Sequence, residues 1–225
     1  MRVCFSWLVI LCWALPGGHA DESPTARLEG TVRYQPDPMK PWRYSRYYVR
    51  DARRGELAEA VVCLVSERLP KLPNEQPRTV TIDQEDYRFQ PETVAVRVGD
   101  VLRFTNSDPG LHNVSAQGTG EQFQVNLPHG EEYRHVLHKA GGIWRPLTIG
   151  CLFHSQMQAW VFVFDHPWYA VTGAEGRFSL EGMPPGTYRL VVVHPAGDLM
   201  KQTTLTLAAG ESQQLEIVLT PRDKR

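Results

Sequence analysis

Phe89-Gln90-Pro91-Glu92-Thr93-Val94-Ala95-Val96-Arg97-Val98-Gly99-Asp100 decides the fold class. Val94, Val96 and Val98 alternate with Ala95 and Arg97, which puts the valines on one face of an extended strand, and Gly99-Asp100 turns the chain afterwards. The same two-residue period recurs elsewhere. Leu205 and Leu207 alternate with threonines, and Leu215, Ile217 and Leu219 share one face opposite Glu216 and Val218. Turn residues punctuate these runs at Asp108-Pro109-Gly110, Gly141-Gly142, Pro184-Pro185-Gly186 and Ala209-Gly210. No long stretch keeps a 3.6-residue apolar period. Many short strands at such spacing predict an all-β chain built of β-sandwiches.

The chain has 225 residues and a net charge of −1. Residues 1–20 read as a secretory leader. Arg2 starts it, Val3 to Leu15 is apolar, and Gly18-His19-Ala20 offers small residues at a cleavage site. The apolar run is too short to span a bilayer comfortably, and no later segment is long and apolar enough, so the mature chain is expected to have no membrane span and a periplasmic or otherwise secreted location. A nearly neutral chain gives no electrostatic footprint for nucleic acid. Cys4 and Cys12 fall within the leader, leaving Cys63 and Cys151.

Residues 70–78, with Pro70, Pro73 and Pro77, read as a linker. Residues 79–165 follow as one compact all-β unit. Residues 27–69 and 167–222 resemble two halves of another, with strand-like runs at Leu28 to Tyr34, Ala58 to Val65, Gly176 to Leu180 and Thr187 to Val193. Trp42 to Arg50 alternates aromatics and arginines, either as a docking surface or as rings packed on their own domain.

One constellation carries chemistry. Cys151, His154 and Met157 stand at C-x2-H-x2-M, and His112 lies upstream in Asp108-Pro109-Gly110-Leu111-His112-Asn113-Val114. A thiolate sulfur and two neutral imidazole nitrogens form a trigonal donor set that suits both copper oxidation states, with a thioether as a weak axial ligand. Three ligands on one short loop come together at little chain-closure cost. In an oxidising compartment a Cys63–Cys151 disulfide competes for the same thiol. Structural zinc would need more Cys and His at paired spacing.

These residues resemble the cupredoxin family, and the two-residue spacings in the loop resemble those of amicyanin. Phe89 to Val94, Val98-Gly99-Asp100 and Phe104 to Val114 are similar to the family's first half. Gly130-Glu131-Glu132-Tyr133, Gly142 and the Cys151 loop are similar to its second half. The resemblance implies a cupredoxin Greek-key β-sandwich over residues 79–165. It implies one type 1 copper, with His112, Cys151 and His154 equatorial and Met157 axial. It also implies that Asn113 hydrogen-bonds toward the cysteine loop. Two departures stand out: Leu147-Thr148-Ile149-Gly150 before the cysteine lacks the usual aromatic, and Ser155 stands where a proline is frequent.

Val171 to Leu180 and Gly182 to Leu190, with Leu28 to Val32 and Ala58 to Val62, resemble the carboxypeptidase regulatory-like (transthyretin-like) β-sandwich. The cupredoxin unit is then expected as an insertion in it, which a sandwich tolerates at an exposed loop. His166 and His194 fall in this unit. They are expected either to face each other across the junction or to hydrogen-bond at strand ends. His129, His135 and His138 read as surface residues, and Cys63 as a buried thiol.

The expected function is electron transfer through a mononuclear copper site, with a redox protein docking over His154 near Leu111 and Phe153. The rivals are copper carriage or buffering outside the cytoplasm and a metal-free scaffold. No paired carboxylates or nucleophile–base arrangement points to an enzyme.

Overall fold

The computed structural model describes residues 24–35, 39, 54–67, 69–71, 76–118 and 120–224. Residues 1–20, read above as a leader, and the Trp42 to Arg50 segment lie outside the described residues. Among the described residues, sixteen strands and one short 3-10 turn make up the regular structure, and the fold is all-β.

Two sheets enclose residues 79–164. One holds β5 (Thr93–Arg97), β11 (Gln158–Phe164), β10 (Leu147–Gly150), β7 (His112–Gly118) and β8 (Glu121–Leu127), in that order. The other holds β4 (Arg88–Gln90), β3 (Thr79–Glu85), β6 (Val101–Asn106) and β9 (Glu132–Val136). Their facing side chains, among them Ile82, Phe89, Val96, Phe104, Val114, Ile149 and Val161, form one buried core.

Two further sheets take strands from both ends of the chain. β1 (Ala26–Tyr34) lies between β13 (Arg177–Met183) and β16 (Ser212–Leu219). β2 (Val61–Val65) lies between β12 (Tyr169–Val171) and β14 (Gly186–His194), and β15 (Leu199–Leu207) completes the second sheet. Leu28, Val32, Leu64, Phe178, Leu190 and Leu219 belong to the core between them. β1 pairs antiparallel with β13 and parallel with β16.

The two sandwiches share a third core. On β2, Val62 and Leu64 face their own sandwich while Val61 and Cys63 face the other. β14 divides the same way, with Leu190 and Val192 inward and Val191 and Val193 outward. From the opposite side come Phe162 and Phe164 of β11, together with Ile143. Strands buried on both faces lose the polar half of their alternation, so these runs are nearly uniformly apolar. Two polar links flank this core. The Thr93 backbone N–H donates to Glu59 Oε2 at 2.9 Å. Arg78 Nη2 donates both to Asp100 Oδ2 at 2.8 Å and to the Tyr169 hydroxyl at 2.7 Å.

The strand expected from Ala58 begins later, at Val61. Glu59 has φ 58°, a left-handed turn residue that no strand accommodates.

Candidate metal centre

β7 and β10 are adjacent and antiparallel, with Gly150 opposite Ser115. The start of β7 and the end of β10 therefore meet at one end of the five-stranded sheet. His112 opens β7, and Cys151 is the first residue beyond β10. β10 and β11 pair from Gly150 and Gln158, so residues 151–157 are the loop joining two neighbouring strands. The loop is closed from within. The Met157 N–H donates to His154 O at 3.0 Å, and the Cys151 N–H donates to Met157 O at 3.4 Å.

Sheet and loop bring three donor atoms together. His112 Nδ1 and His154 Nδ1 are 3.1 Å apart. Cys151 Sγ lies 3.6 Å from His154 Nδ1 and 4.0 Å from His112 Nδ1. Metal–imidazole and metal–thiolate bonds of about 2.0 and 2.3 Å let one ion span about 4.0 Å between nitrogens and about 4.3 Å from sulfur to nitrogen. All three separations fall inside those limits, so the donor set fits a single ion. His112 is fully buried, Cys151 is 6 % exposed and His154 is half-buried. Among the described residues, this trio is the sole group of three or more His, Cys, Asp or Glu side chains close enough to hold a metal. Met157 is buried in the same core as Cys151.

Asp108 fixes the histidine. His112 Nε2 donates to Asp108 Oδ2 at 2.7 Å. The proton thus sits on Nε2, leaving the Nδ1 lone pair to face Cys151 and His154. The same carboxylate accepts the Asp86 N–H at 2.8 Å and the Tyr87 N–H at 3.0 Å. Burial alone would raise the Asp108 pKa, but hydrogen bonds from Tyr87, His112 and Asp86 outweigh it and hold the carboxyl below its ordinary value. Tyr87 itself lies edge-on to both imidazoles, with ring centroids 5.5 Å from His112 and 5.0 Å from His154.

Asn113 differs from expectation in one respect. Its backbone N–H, not its side chain, points at Cys151 Sγ, at 3.4 Å. The side-chain Nδ2 donates instead to Val125 O and Asn126 Oδ1 on β8, and Oδ1 is buried without a hydrogen-bond partner. Asn113 therefore ties β7 to β8, and the main chain serves the sulfur.

Cys63 and Cys151 are both free, in different cores, which removes the disulfide alternative. Cys63 is buried as expected and donates to Leu64 O at 3.1 Å. His166 and His194 each accept a hydrogen bond from a nearby backbone N–H, and His166 Nε2 also lies 3.8 Å from Cys63 Sγ. His166 Nδ1 accepts the Trp168 N–H at 3.2 Å, and His194 Nδ1 accepts the Gly197 N–H at 3.0 Å. His135 is less exposed than expected, because it pairs with the buried carboxylate of Glu121 at 2.6 Å.

Sequence reasoning missed Asp108 and Tyr87. Asp108 was legible only as a turn residue, although its place four residues before His112 is a signal in retrospect. Tyr87 arrives from a separate hairpin and left no local signal. Leu111, Leu152 and Phe153 are exposed on the segments that carry the candidate ligands.

The family model of the carboxypeptidase regulatory-like domain matches residues 157–220. Among curated proteins nothing matches the chain. The copper-containing nitrite reductase of Thermus scotoductus SA-01 is 24 % identical, with TM-score 0.35; the match covers 45 % of this chain and 25 % of that one. The chain thus spans about a quarter of that protein's length. A purple cupredoxin from Nitrosopumilus maritimus is 22 % identical, with TM-score 0.32, over 37 % of this chain and 98 % of that one. Amicyanin from Paracoccus versutus is 19 % identical, with TM-score 0.34, over 46 % of this chain and 97 % of that one. The chain is similar, then, to carboxypeptidase regulatory-like domains over residues 157–220 and to solved cupredoxins over less than half its length.

Proposed function

We propose that the protein is an exported, non-catalytic copper protein that transfers electrons through one mononuclear type 1 site. His112, Cys151 and His154 would hold the ion, with the Met157 thioether as a further, weaker ligand. In this reading residues 79–165 form the copper-binding unit, inserted between the two halves of the regulatory-like sandwich. The observation that carries it is the convergence of two imidazole Nδ1 atoms and one thiol within 4.8 Å of one another. Copper held by this set supplies one-electron chemistry.

The chain's own part is to keep the donors still. His112 is anchored by Asp108, the loop by its internal backbone bonds, and Cys151 by the Asn113 N–H. A donor set held this firmly suits both oxidation states, which keeps reorganisation small. The half-buried His154 and exposed Leu111 and Phe153 give a redox protein partner an apolar face beside a ligand.

Copper-loaded protein should show an intense thiolate-to-copper absorption band in the visible, and Cys151→Ser should abolish it. A protein that stays colourless with copper would end this reading. Slow self-exchange, with copper passing readily to a chelator, would instead favour copper carriage.

A further inference from the structure

Tyr87 occupies a position a tyrosine ordinarily avoids. Glu85 and Arg88 pair across β3 and β4, so Asp86-Tyr87 is a two-residue hairpin loop. Both residues are left-handed, with φ 53° and 57°. Two-residue loops of this kind want Asn or Asp first and Gly second, because a Cβ at the second position is strained. Asp86 fits the rule and Tyr87 breaks it. A bulky residue kept in this region is a reason to look for a role.

The strained residue is held by the group that anchors the metal ligand. Asp108 Oδ2 accepts both the Tyr87 N–H and the His112 Nε2–H. The Tyr87 ring then meets both imidazoles edge-on, at interplanar angles of 86° and 82°. The two imidazoles also meet each other, with centroids 4.8 Å apart. Tyr87 remains 50 % exposed, so its ring stands between the histidine pair and solvent. No packing need of the sandwich explains the choice, since a half-exposed ring adds little to a core.

We propose that Tyr87 is a positioning residue. Its ring holds the His112 and His154 imidazoles in their facing orientation and shuts the solvent side of the pair against small exogenous donors such as azide or free imidazole. The proposal rests on the copper reading above. It adds that the hairpin loop carries its backbone strain for the sake of the metal centre.

The experiment compares wild type, Tyr87→Phe, Tyr87→Ala and Tyr87→Gly, each apo and copper-loaded. The readouts are apo-protein melting temperature, the rate at which a chelator strips copper, and the response of the visible band to azide. Tyr87→Gly relieves the backbone and should melt at or above wild type as the apo-protein. When loaded, Tyr87→Gly and Tyr87→Ala should lose copper about ten-fold faster, and azide should shift their spectra. Tyr87→Phe should restore wild-type behaviour, because the ring and not the hydroxyl makes the contacts. A purely structural role would lower the apo melting temperature of Tyr87→Gly and leave copper retention alone, and either result overturns the proposal. A wild type with its band intact, beside variants that keep copper equally well, sinks the Tyr87 role alone. A wild type without the band sinks the copper reading and this proposal together.

Discussion

At the scale of single residues, the candidate site is a carboxylate-centred arrangement as much as a metal-ligand set. Asp108 accepts from one ligand imidazole and from two backbone N–H groups of a hairpin distant in sequence. Asp108→Ala leaves those three donors without their acceptor, at about 1–3 kcal/mol for each that water does not reach. We expect Asp108→Ala to weaken copper affinity by about 10- to 100-fold, read by competition with a calibrated chelator. The four proposed ligands were legible because three share one loop and the fourth follows an Asp-Pro-Gly turn. Asp108 and Tyr87 were not, because each matters through tertiary contact. The buried His194 makes a different prediction. Burial pushes its pKa down to about 4, against the opposing effect of hydrogen bonding to the Ala58 backbone. In the unfolded chain it titrates near ~6.5, so the unfolded state takes up the proton first as pH falls. Its contribution is complete above about pH 6.5 and is lost progressively towards pH 4, by roughly 3 kcal/mol in all. Urea midpoints measured across that window should fall, and His194→Gln should fall less.

At the scale of elements, β1 is closely confined. It is the middle strand of its sheet, flanked by β13 and β16. A Cβ built on Gly30 would stand 2.4 Å from Leu215 O and 2.7 Å from two carbons of the Phe178 ring. The carbonyl is main chain and cannot swing aside, so Gly30→Ala must push β1 and β16 apart. We expect a loss of about 1–3 kcal/mol in chemical denaturation, with copper binding at the other sandwich retained. Which elements were legible follows from burial. Strands with one buried face, such as β5, β15 and the end of β16, kept the two-residue period that reveals them. β8 and β9 are edge strands, with Glu121-Gln122 and Glu132-Tyr133-Arg134-His135 giving little apolar signal, and their pairing is visible only once β7 and β6 are placed. The expected strand start at Ala58 misread an apolar-flanked turn, because nothing local marks Glu59 as left-handed.

At the scale of the whole molecule, the shared core of Val61, Cys63, Ile143, Phe162, Phe164, Val191 and Val193 makes the two sandwiches dependent on each other. Phe164 is buried there, with its ring stacked on Tyr169 at 4.4 Å. Phe164→Ala should cost about 3–5 kcal/mol. Calorimetry is the decisive measurement: a single endotherm that moves down intact means the sandwiches unfold together, whereas a split into two transitions would refute that coupling. This core was the least legible feature of the sequence, because a strand apolar on both faces announces burial without naming its second partner.

The parallel pairing of β1 with β16 has a consequence for biosynthesis. Every strand of the sandwich that carries the proposed metal ligands has been synthesised by Phe164, whereas β1 waits for Ser212–Leu219. A nascent chain therefore carries β1 with one lateral edge bare, able to recruit any extended peptide nearby. Translation products that stop short of Ser212 should accordingly aggregate and be degraded, even though every proposed copper ligand has already been made.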